Sequence, residues 1–573
     1  MDQQQVLKLL LLISTCALIH GRPLNFDTAG TSVATVYVEL VAGKEVYSIV
    51  KGKLDPAGVA QVEYSDAAVH ESFFGELRVS TTATFSDTTQ MFAAGYAEAS
   101  MTVDRTFDHY TNILPWIRSQ VHNDTQPIIE FLTKQDIWIQ DQLKSENLSD
   151  FWYNIGVIHA QLQGFAKGYN DAAPAEKQLP YHAFLILNGV GDLLDVIQAL
   201  KPDVRPDWEN MDPDQIKSKI AMTGMCSGLV KVTGDLSDLL FSHSSWFIYN
   251  AMTRIYKHYN FNLNHSSVAA KKVSFSSYPG FLESLDDFYI MDSGLAMIQT
   301  TNNIYNTTLY DSVTPFSVLA WQRVRAANQM ATTGEEWKTV IATENSGTYN
   351  NQYMVINLNL FTPGKPLPAN LLWVVEQIPG LVVGADKTET LERGYWPSYN
   401  VPYFPEVYSK SGYPALQAAL SSKGSQYIDA TLGLDYQLAP RAEIFRRDAS
   451  SVVDIPSLKH LMRYNGYPSD PYDGGSPMGA ICSRGDLQKK DPAPEGCYDT
   501  KVSSYTLALN LQSQAINGPT AQNQPPFQWT GAFSNSSHVG MPETFNFKFE
   551  AQDPKWDAWE RRLHGDDATI AIQ

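Results

Sequence analysis

A polar, proline-broken stretch runs straight into a β-hairpin whose first residue is a cysteine, and this junction divides the chain. Residues 202–220 (PDVRPDWENMDPDQIKSKI) hold three prolines and many charges with little to bury, which predicts an exposed linker. AMTGMCSGLVKVTGDLSDLLFSHSSW follows at once. The strand signal begins at Cys226 and runs through Val232, turns at Thr233-Gly234-Asp235 and returns from Asp238 to His243. A tether ending in a Gly-Met-Cys step at the start of a hairpin suits a processing site.

Cysteine arithmetic singles out the same residue. Cys16 sits in an apolar N-terminal run, and Cys482 and Cys497 lie 15 positions apart in a Pro-, Gly-, Asp- and Ser-rich stretch, the kind of loop a disulfide closes. Cys226 is left over. In an oxidising compartment such a thiol is either a buried packing residue or a reactive group.

The compartment follows from the N-terminus. Residues 1–21 contain Lys8, then Leu9–Ile13 and Ala17–Ile19, too short to span a bilayer and fitting a secretory signal peptide cut near Gly21. No later stretch reaches 18 uninterrupted apolar residues, so no transmembrane segment is expected. Sequons at Asn123, Asn147, Asn264, Asn306 and Asn535 add the expectation of a secreted or lysosomal glycoprotein. A net charge of −19 disfavours nucleic acid as a partner, and 12 % aromatic residues disfavour disorder.

Element signals predict an α+β fold. Residues 33–55 read as strands, 88–114, 126–172 and 184–200 as helices, and 287–298, 353–358 and 371–375 as further strands. Residues 316–331 and 414–422 read as helices, and the chain is loop-rich from Asp470 onward. Antiparallel strand blocks with helices before, between and after them imply sheets with helices outside.

If the bond between Met225 and Cys226 is cut, Cys226 carries both a thiol and an α-amine. An amine with a pKa of about 8 serves as base for the thiol without a dedicated histidine, and the thiol itself is placed to attack the preceding carbonyl. His243 and Trp246 lie 17 and 20 residues further on, a distance at which the hairpin returns beside Cys226. His243 then orients substrate, stabilises a thiolate or donates to the acyl oxygen; a packing histidine is the alternative.

The run CSGLVKVTGDLSDLLFSHSSWFIYNAMTRIYKHYNF resembles the phospholipase B-like family, as do SYPGFLESLDDFYI (277–290), ENSGTYNNQYM (344–354), WVVEQIPG (373–380), YWPSYNVPYF (395–404), IFRRD (444–448), LMRYNGY (461–467) and PPFQW (525–529). The resemblance spans roughly residues 30–550. It implies an N-terminal-nucleophile hydrolase: an αββα sandwich matured by cleavage before the cysteine. The products would be a largely helical light chain, 22–225, with the linker 202–225 at its end, and a heavy chain, 226–573, that stay associated. Cys226 matches the family's nucleophile, and His243 and Trp246 its H-x-x-W step. Thr300 and Thr301 sit where related folds present a donor near the nucleophile. Asn351 and Asn400 are amides suited to an oxyanion hole or to a buried turn. Arg446 would bind an anionic headgroup or, the favoured reading, form an ion pair.

No H-E-x-x-H motif, metal-spaced histidine cluster, G-x-S-x-G elbow, P-loop or dinucleotide fingerprint occurs, so no metal or cofactor is expected. The leading expectation is an acyl hydrolase that deacylates phospholipids. An amidase acting on N-acyl lipids or peptides is the alternative enzyme, and a non-catalytic glycoprotein that keeps the fold is the alternative class.

Overall fold

The computed structural model describes residues 30–66, 69–223, 226–285 and 288–564. The leader with Cys16, the expected cleavage residue Met225 and the first residue of the expected 287–298 hairpin lie outside them.

Before the junction come β1 (Ser32–Val41), β2 (Lys44–Lys51), β3 (Ala60–Ser65) and β4 (Phe74–Thr81). After it come β5 (Cys226–Val232), β6 (Leu239–Ile248), β7 (Arg254–Asn260), β8 (Lys272–Ser277), β9 (Phe288–Met291) and β10 (Leu295–Thr301). Then follow β11 (Asn351–Asn357), β12 (Leu372–Ile378), β13 (Leu381–Asp386), β14 (Tyr395–Ser398), β15 (Glu495–Cys497), β16 (Asp499–Ser504) and β17 (Ser513–Asn517).

These strands make two large sheets. One has the order β13-β12-β11-β10-β9-β8-β7-β4-β3-β1-β2; the other runs β14-β5-β6-β16-β17 and ends on Glu550–Gln552. Within the first sheet β4 lies parallel to β7, from Phe74 opposite Arg254 to Ser80 opposite Asn260. That pairing stitches the chain before the junction to the chain after it.

The sheets face each other across an apolar interior, in which Phe241 of β6 stacks on Phe288 of β9 with ring centroids 5.7 Å apart. Helices Asp87–Met101, Asp150–Ala172 and Ala320–Met330 cover the outer face of the larger sheet, and Pro440–Asp448 and Ile455–Met462 that of the smaller. The result is an αββα sandwich. Two of the covering helices touch backbone to backbone: a Cβ on Gly95 would stand 2.0 Å from the Gln161 carbonyl oxygen, and one on Gly164 2.0 Å from that of Phe92. Only glycine permits that approach.

Several elements differ from the sequence expectation for identifiable reasons. The region before the junction opens with four strands, so it is less purely helical than expected. The 88–114 helix is two, Asp87–Met101 and Val103–Gln120, broken where the Thr102 hydroxyl donates to the Glu98 carbonyl (2.9 Å). The 126–172 stretch breaks between Gln142 and Asp150, where Ser149 caps the second helix by accepting from Trp152 N (3.3 Å). The 184–200 helix bends by 95° at Gly189 into Tyr181–Asn188 and Val190–Leu200. No single helix among the described residues is long and apolar enough to cross a membrane.

The largest correction concerns the linker. Residues Pro213–Thr223 form a helix that buries Ile216 and Ile220 among Leu420, Leu434 and their neighbours. Charge on the exposed turns hid an apolar pair at i and i+4.

Candidate active site

β5 and β6 form the expected hairpin. Its loop is held by Asp235 Oδ1, which accepts from Ser237 N (3.0 Å), and by Thr233 Oγ1, which accepts from Asp238 N (2.9 Å). In this register Cys226 faces Ser245 and Gly228 faces His243. Directly opposed residues point to the same side of a sheet, so Cys226, Gly228, His243 and Ser245 share one face. That face looks across to the other sheet: a Cβ on Gly228 would lie 3.3 Å from Met354 Cε and 3.5 Å from Thr300 Cγ2.

Cys226 belongs to no disulfide and, 4 % exposed, takes the first position of its strand. Its backbone nitrogen lies 3.4 Å from Asn400 Oδ1, while Asn400 Nδ2 donates to the Thr301 carbonyl (2.7 Å). Asn400 therefore turns an acceptor, not a donor, toward Cys226. It adopts a left-handed backbone (φ 69°), which asparagine tolerates better than most residues. Its loop is anchored by buried Glu376 of β12, which accepts from Tyr403 N (2.7 Å), Phe404 N (3.0 Å) and Gln352 Nε2 (2.6 Å). Burial raises the Glu376 carboxyl to about 7, against those hydrogen bonds.

Arg441 is the residue that sequence reasoning missed. It sits in the first turn of the Pro440–Asp448 helix and donates from Nη1 to the Cys226 carbonyl and to Ser227 Oγ (3.2 Å). From Nη2 it donates to the Tyr399 carbonyl (2.9 Å) and to Asn400 Oδ1 (2.7 Å). Its guanidinium lies 4.2 Å from the Trp246 ring centroid. Burial lowers its pKa to about 9, with Cys226 acting the other way. A cation in the first turn of a helix opposes the helix dipole; that mismatch was the signal available in the sequence.

His243 is fully buried, with Nδ1 3.4 Å from Ser245 Oγ, and burial plus the Lys501 charge hold its pKa well below the usual value. Both influences favour the uncharged imidazole. Behind Ser245, Lys501 Nζ donates to Ser245 Oγ (2.5 Å) and to Asp499 (2.8 and 3.0 Å), and Arg254 also pairs with Asp499. Burial works against the Asp499 charge, yet Lys501 and Arg254 hold its carboxyl below the usual range.

Trp246 is 3 % exposed and packs on the Cys482–Cys497 disulfide, whose second half belongs to β15, paired with the end of β6. That disulfide is the one expected from the sequence. Thr300 hydrogen-bonds Ser398 (2.6 Å) between the sheets. Asn351 opposes Thr301 across β10 and β11 and donates to Tyr353 OH (3.2 Å), whose ring packs on Trp337. Arg446 is exposed and bound to the Gln437 carbonyl (2.7 Å) and side-chain oxygen (3.2 Å). The ion pair expected of it is made instead by Arg447, to Asp448 and Asp470, because Arg447 is the one facing those carboxylates.

A small cavity lined by Cys226, Ser245 and Tyr349 shares Leu194, Trp246, Phe247 and Thr301 as walls with a cleft of 330 Å³. That volume suits a small organic ligand. Residues 204–206, Trp208, Lys219 and Met222, all from the segment before the junction, form part of the cleft wall. Among the described residues no group of His, Cys, Asp and Glu could hold a metal ion.

An αββα sandwich with a cysteine at the first position of an inner strand, beside a cleft of mixed aromatic and polar walls, is the class of molecule these features define. The phospholipase B family model matches residues 60–552, and the chain belongs to that family. It is 43 % identical to phospholipase B-like 1 of Rattus norvegicus, covering 93 % of this chain and 94 % of that protein. Phospholipase B-like 1 of Homo sapiens is 42 % identical, with 92 % of each chain covered. Phospholipase B of Crotalus adamanteus is 40 % identical, over 88 % of this chain and 90 % of that one.

Proposed function

We propose that the chain is an acyl hydrolase acting on phospholipids through Cys226, exposed as an N-terminal nucleophile by cleavage after Met225. The observation that carries this reading is the placement of the Cys226 thiol, outside any disulfide, at a strand start, with its own nitrogen beside Asn400 Oδ1 and its carbonyl held by Arg441. After cleavage the α-amine occupies the place of that nitrogen, hydrogen-bonded to Asn400, and takes the thiol proton. The sulfur attacks the acyl carbonyl; the leaving alcohol departs with a proton from the ammonium, and water then releases the acid from the thioester. Arg441 favours the thiolate. Trp246 Nε1, buried without a hydrogen-bond partner beside the same cavity, is the donor for the developing oxyanion.

The names of the relatives, all phospholipase B or phospholipase B-like 1, support the ester substrate. The cut parts stay together because β4 and β7 belong to one sheet. A secretory or lysosomal location fits the disulfide and the leader. Of the sequons, Asn123, Asn147, Asn264 and Asn535 are exposed and Asn306 is half-buried; the amides of Asn264 and Asn306 donate to the Ala83 and Lys410 carbonyls, which leaves Asn123, Asn147 and Asn535 the best placed for glycans. Turnover of a phospholipid panel by the wild type and by Cys226→Ala tests the reading. Loss of acid release in the variant supports it, and equal rates remove Cys226 from the chemistry.

A further inference from the structure

The larger sheet finishes differently at its two edges. At one edge β13 is half-buried along its whole length, with the Lys338 side chain of the helix Gly334–Ala342 laid against Gly384. At the other, β2 pairs with β1 from Lys44 opposite Val41 to Lys51 opposite Ala34 without a bulge. Among the described residues no strand pairs with the outer side of β2. A long, regular strand left open in this way is a template for another chain. Tyr47 and Ile49 turn toward the helix Asp87–Met101, where Tyr47 stacks on Phe92 with ring centroids 4.4 Å apart. Val46 and Val50 alternate with them on the opposite face and are 49 % and 44 % exposed.

The backbone fixes which groups of β2 face outward. Gly52 N donates to the Val33 carbonyl (2.7 Å). In the alternation of an antiparallel ladder Val50, Ser48 and Val46 therefore bond to β1, while the N–H and C=O groups of Glu45, Tyr47, Ile49 and Lys51 point away from it. An added antiparallel strand must bond to those outward groups. When the added strand is a second β2, this parity admits a register with Glu45 opposite the second copy's Lys51, Tyr47 opposite its Ile49 and Val46 opposite its Val50. Ser48 then faces Ser48 on the two-fold axis. Opposite charges meet at both ends, and the exposed valines meet in non-hydrogen-bonded pairs, where side chains approach most closely. A shift of two residues either way sets Glu45 against Ile49, or Lys51 against Tyr47.

Glu45 is already oriented along this edge. Its carboxylate accepts from Thr89 Oγ1 (2.8 Å) and from the Tyr47 hydroxyl, and keeps lone pairs for an ammonium group. On the same face a groove walled by Tyr47, Phe92, Ala160 and Gln163 receives the second copy's Ile49 in this register.

We propose that the chain forms a two-fold dimer through β2, its strand pairing antiparallel with β2 of a second copy about Ser48 and joining the larger sheets of both into one. The occupant is a second copy because the strand's own sequence complements itself in charge and in apolar pairing in a register that its backbone permits. The interface is independent of the acyl-hydrolase reading.

Sedimentation velocity on the full chain across the micromolar range tests it, and the wild type should dimerise. Lys51→Glu sets Glu opposite Glu45 and should weaken association by about tenfold or more. Glu45→Lys should do the same, and an equimolar mixture of these two chains should recover the dimer, which separates charge repulsion from misfolding. Ser48→Cys places a thiol against its own copy on the two-fold axis, so oxidation should give a disulfide-linked dimer on non-reducing electrophoresis, whereas Val50→Cys, opposite Val46, should not. A wild type that stays monomeric overturns the proposal. So does a dimer that Lys51→Glu leaves intact, and a dimer in which Ser48→Cys fails to cross-link overturns the register.

Discussion

Asn400 presents its side-chain oxygen to the backbone nitrogen of Cys226 at 3.4 Å, and Arg441 donates to that same oxygen at 2.7 Å. One acceptor therefore bridges the Cys226 nitrogen and the half-buried Arg441 guanidinium. The amide that the sequence offered for an oxyanion hole or a buried turn turns its oxygen toward the Cys226 nitrogen, the position of the α-amine in the cleavage proposed above.

Arg441 is predicted to matter more than any residue whose side chain only lines the cleft. Arg441→Lys keeps a charge but cannot make two forked pairs and stack on Trp246 together. It should lower kcat by about 10²-fold, equivalent to about 2.7 kcal/mol, with a smaller change in KM. Steady-state kinetics on a soluble acyl ester would check this, and a kcat within threefold of wild type would count against it.

Glu376 should act through the Asn400 loop. Glu376→Gln replaces one acceptor with a donor, leaving Tyr403 N or Phe404 N unpaired in a buried site, at a cost of about 1–3 kcal/mol. A lowered urea midpoint, with kcat reduced more than KM is raised, is the expected pattern. Unchanged unfolding would show that the loop is held by other contacts.

His109 gives a pH signature. It is fully buried beside Tyr278 and Phe281, and burial, with Arg254 and Lys257, lowers its pKa to about 3. The unfolded chain takes up a proton below about pH 6.5 that the native state refuses. Stability contributed by this group is therefore complete above that pH and falls as pH drops toward 3. His109→Phe removes the penalty. Relative to wild type, its unfolding free energy should gain about 1.4 kcal/mol per unit below pH 6.5, measured by urea titration at pH 7, 6 and 5. A constant offset between the two proteins would show that His109 does not titrate in this way.

The sequence made the hairpin and the disulfide legible because both are local: Thr233-Gly234-Asp235 marks a turn, and Cys482 and Cys497 lie on one loop. The four opening strands were partly hidden because β4 finds its partner in β7, across more than 170 residues, and no local pattern encodes that pairing. The helix at Pro213–Thr223 was hidden by charges around only two apolar anchors, Ile216 and Ile220. Arg441 was invisible for a different reason. Its role depends on Asn400 and Cys226 arriving from other elements, and only the unfavourable helix-start position hinted at it.

The most direct measurement is the set of fragment N-termini of the purified protein, before and after acid incubation, for wild type and Cys226→Ala. A new terminus at Cys226 in the wild type alone, with both fragments co-eluting, is the expected result. A folded chain that stays uncut under every condition yet still releases fatty acid would contradict the N-terminal nucleophile.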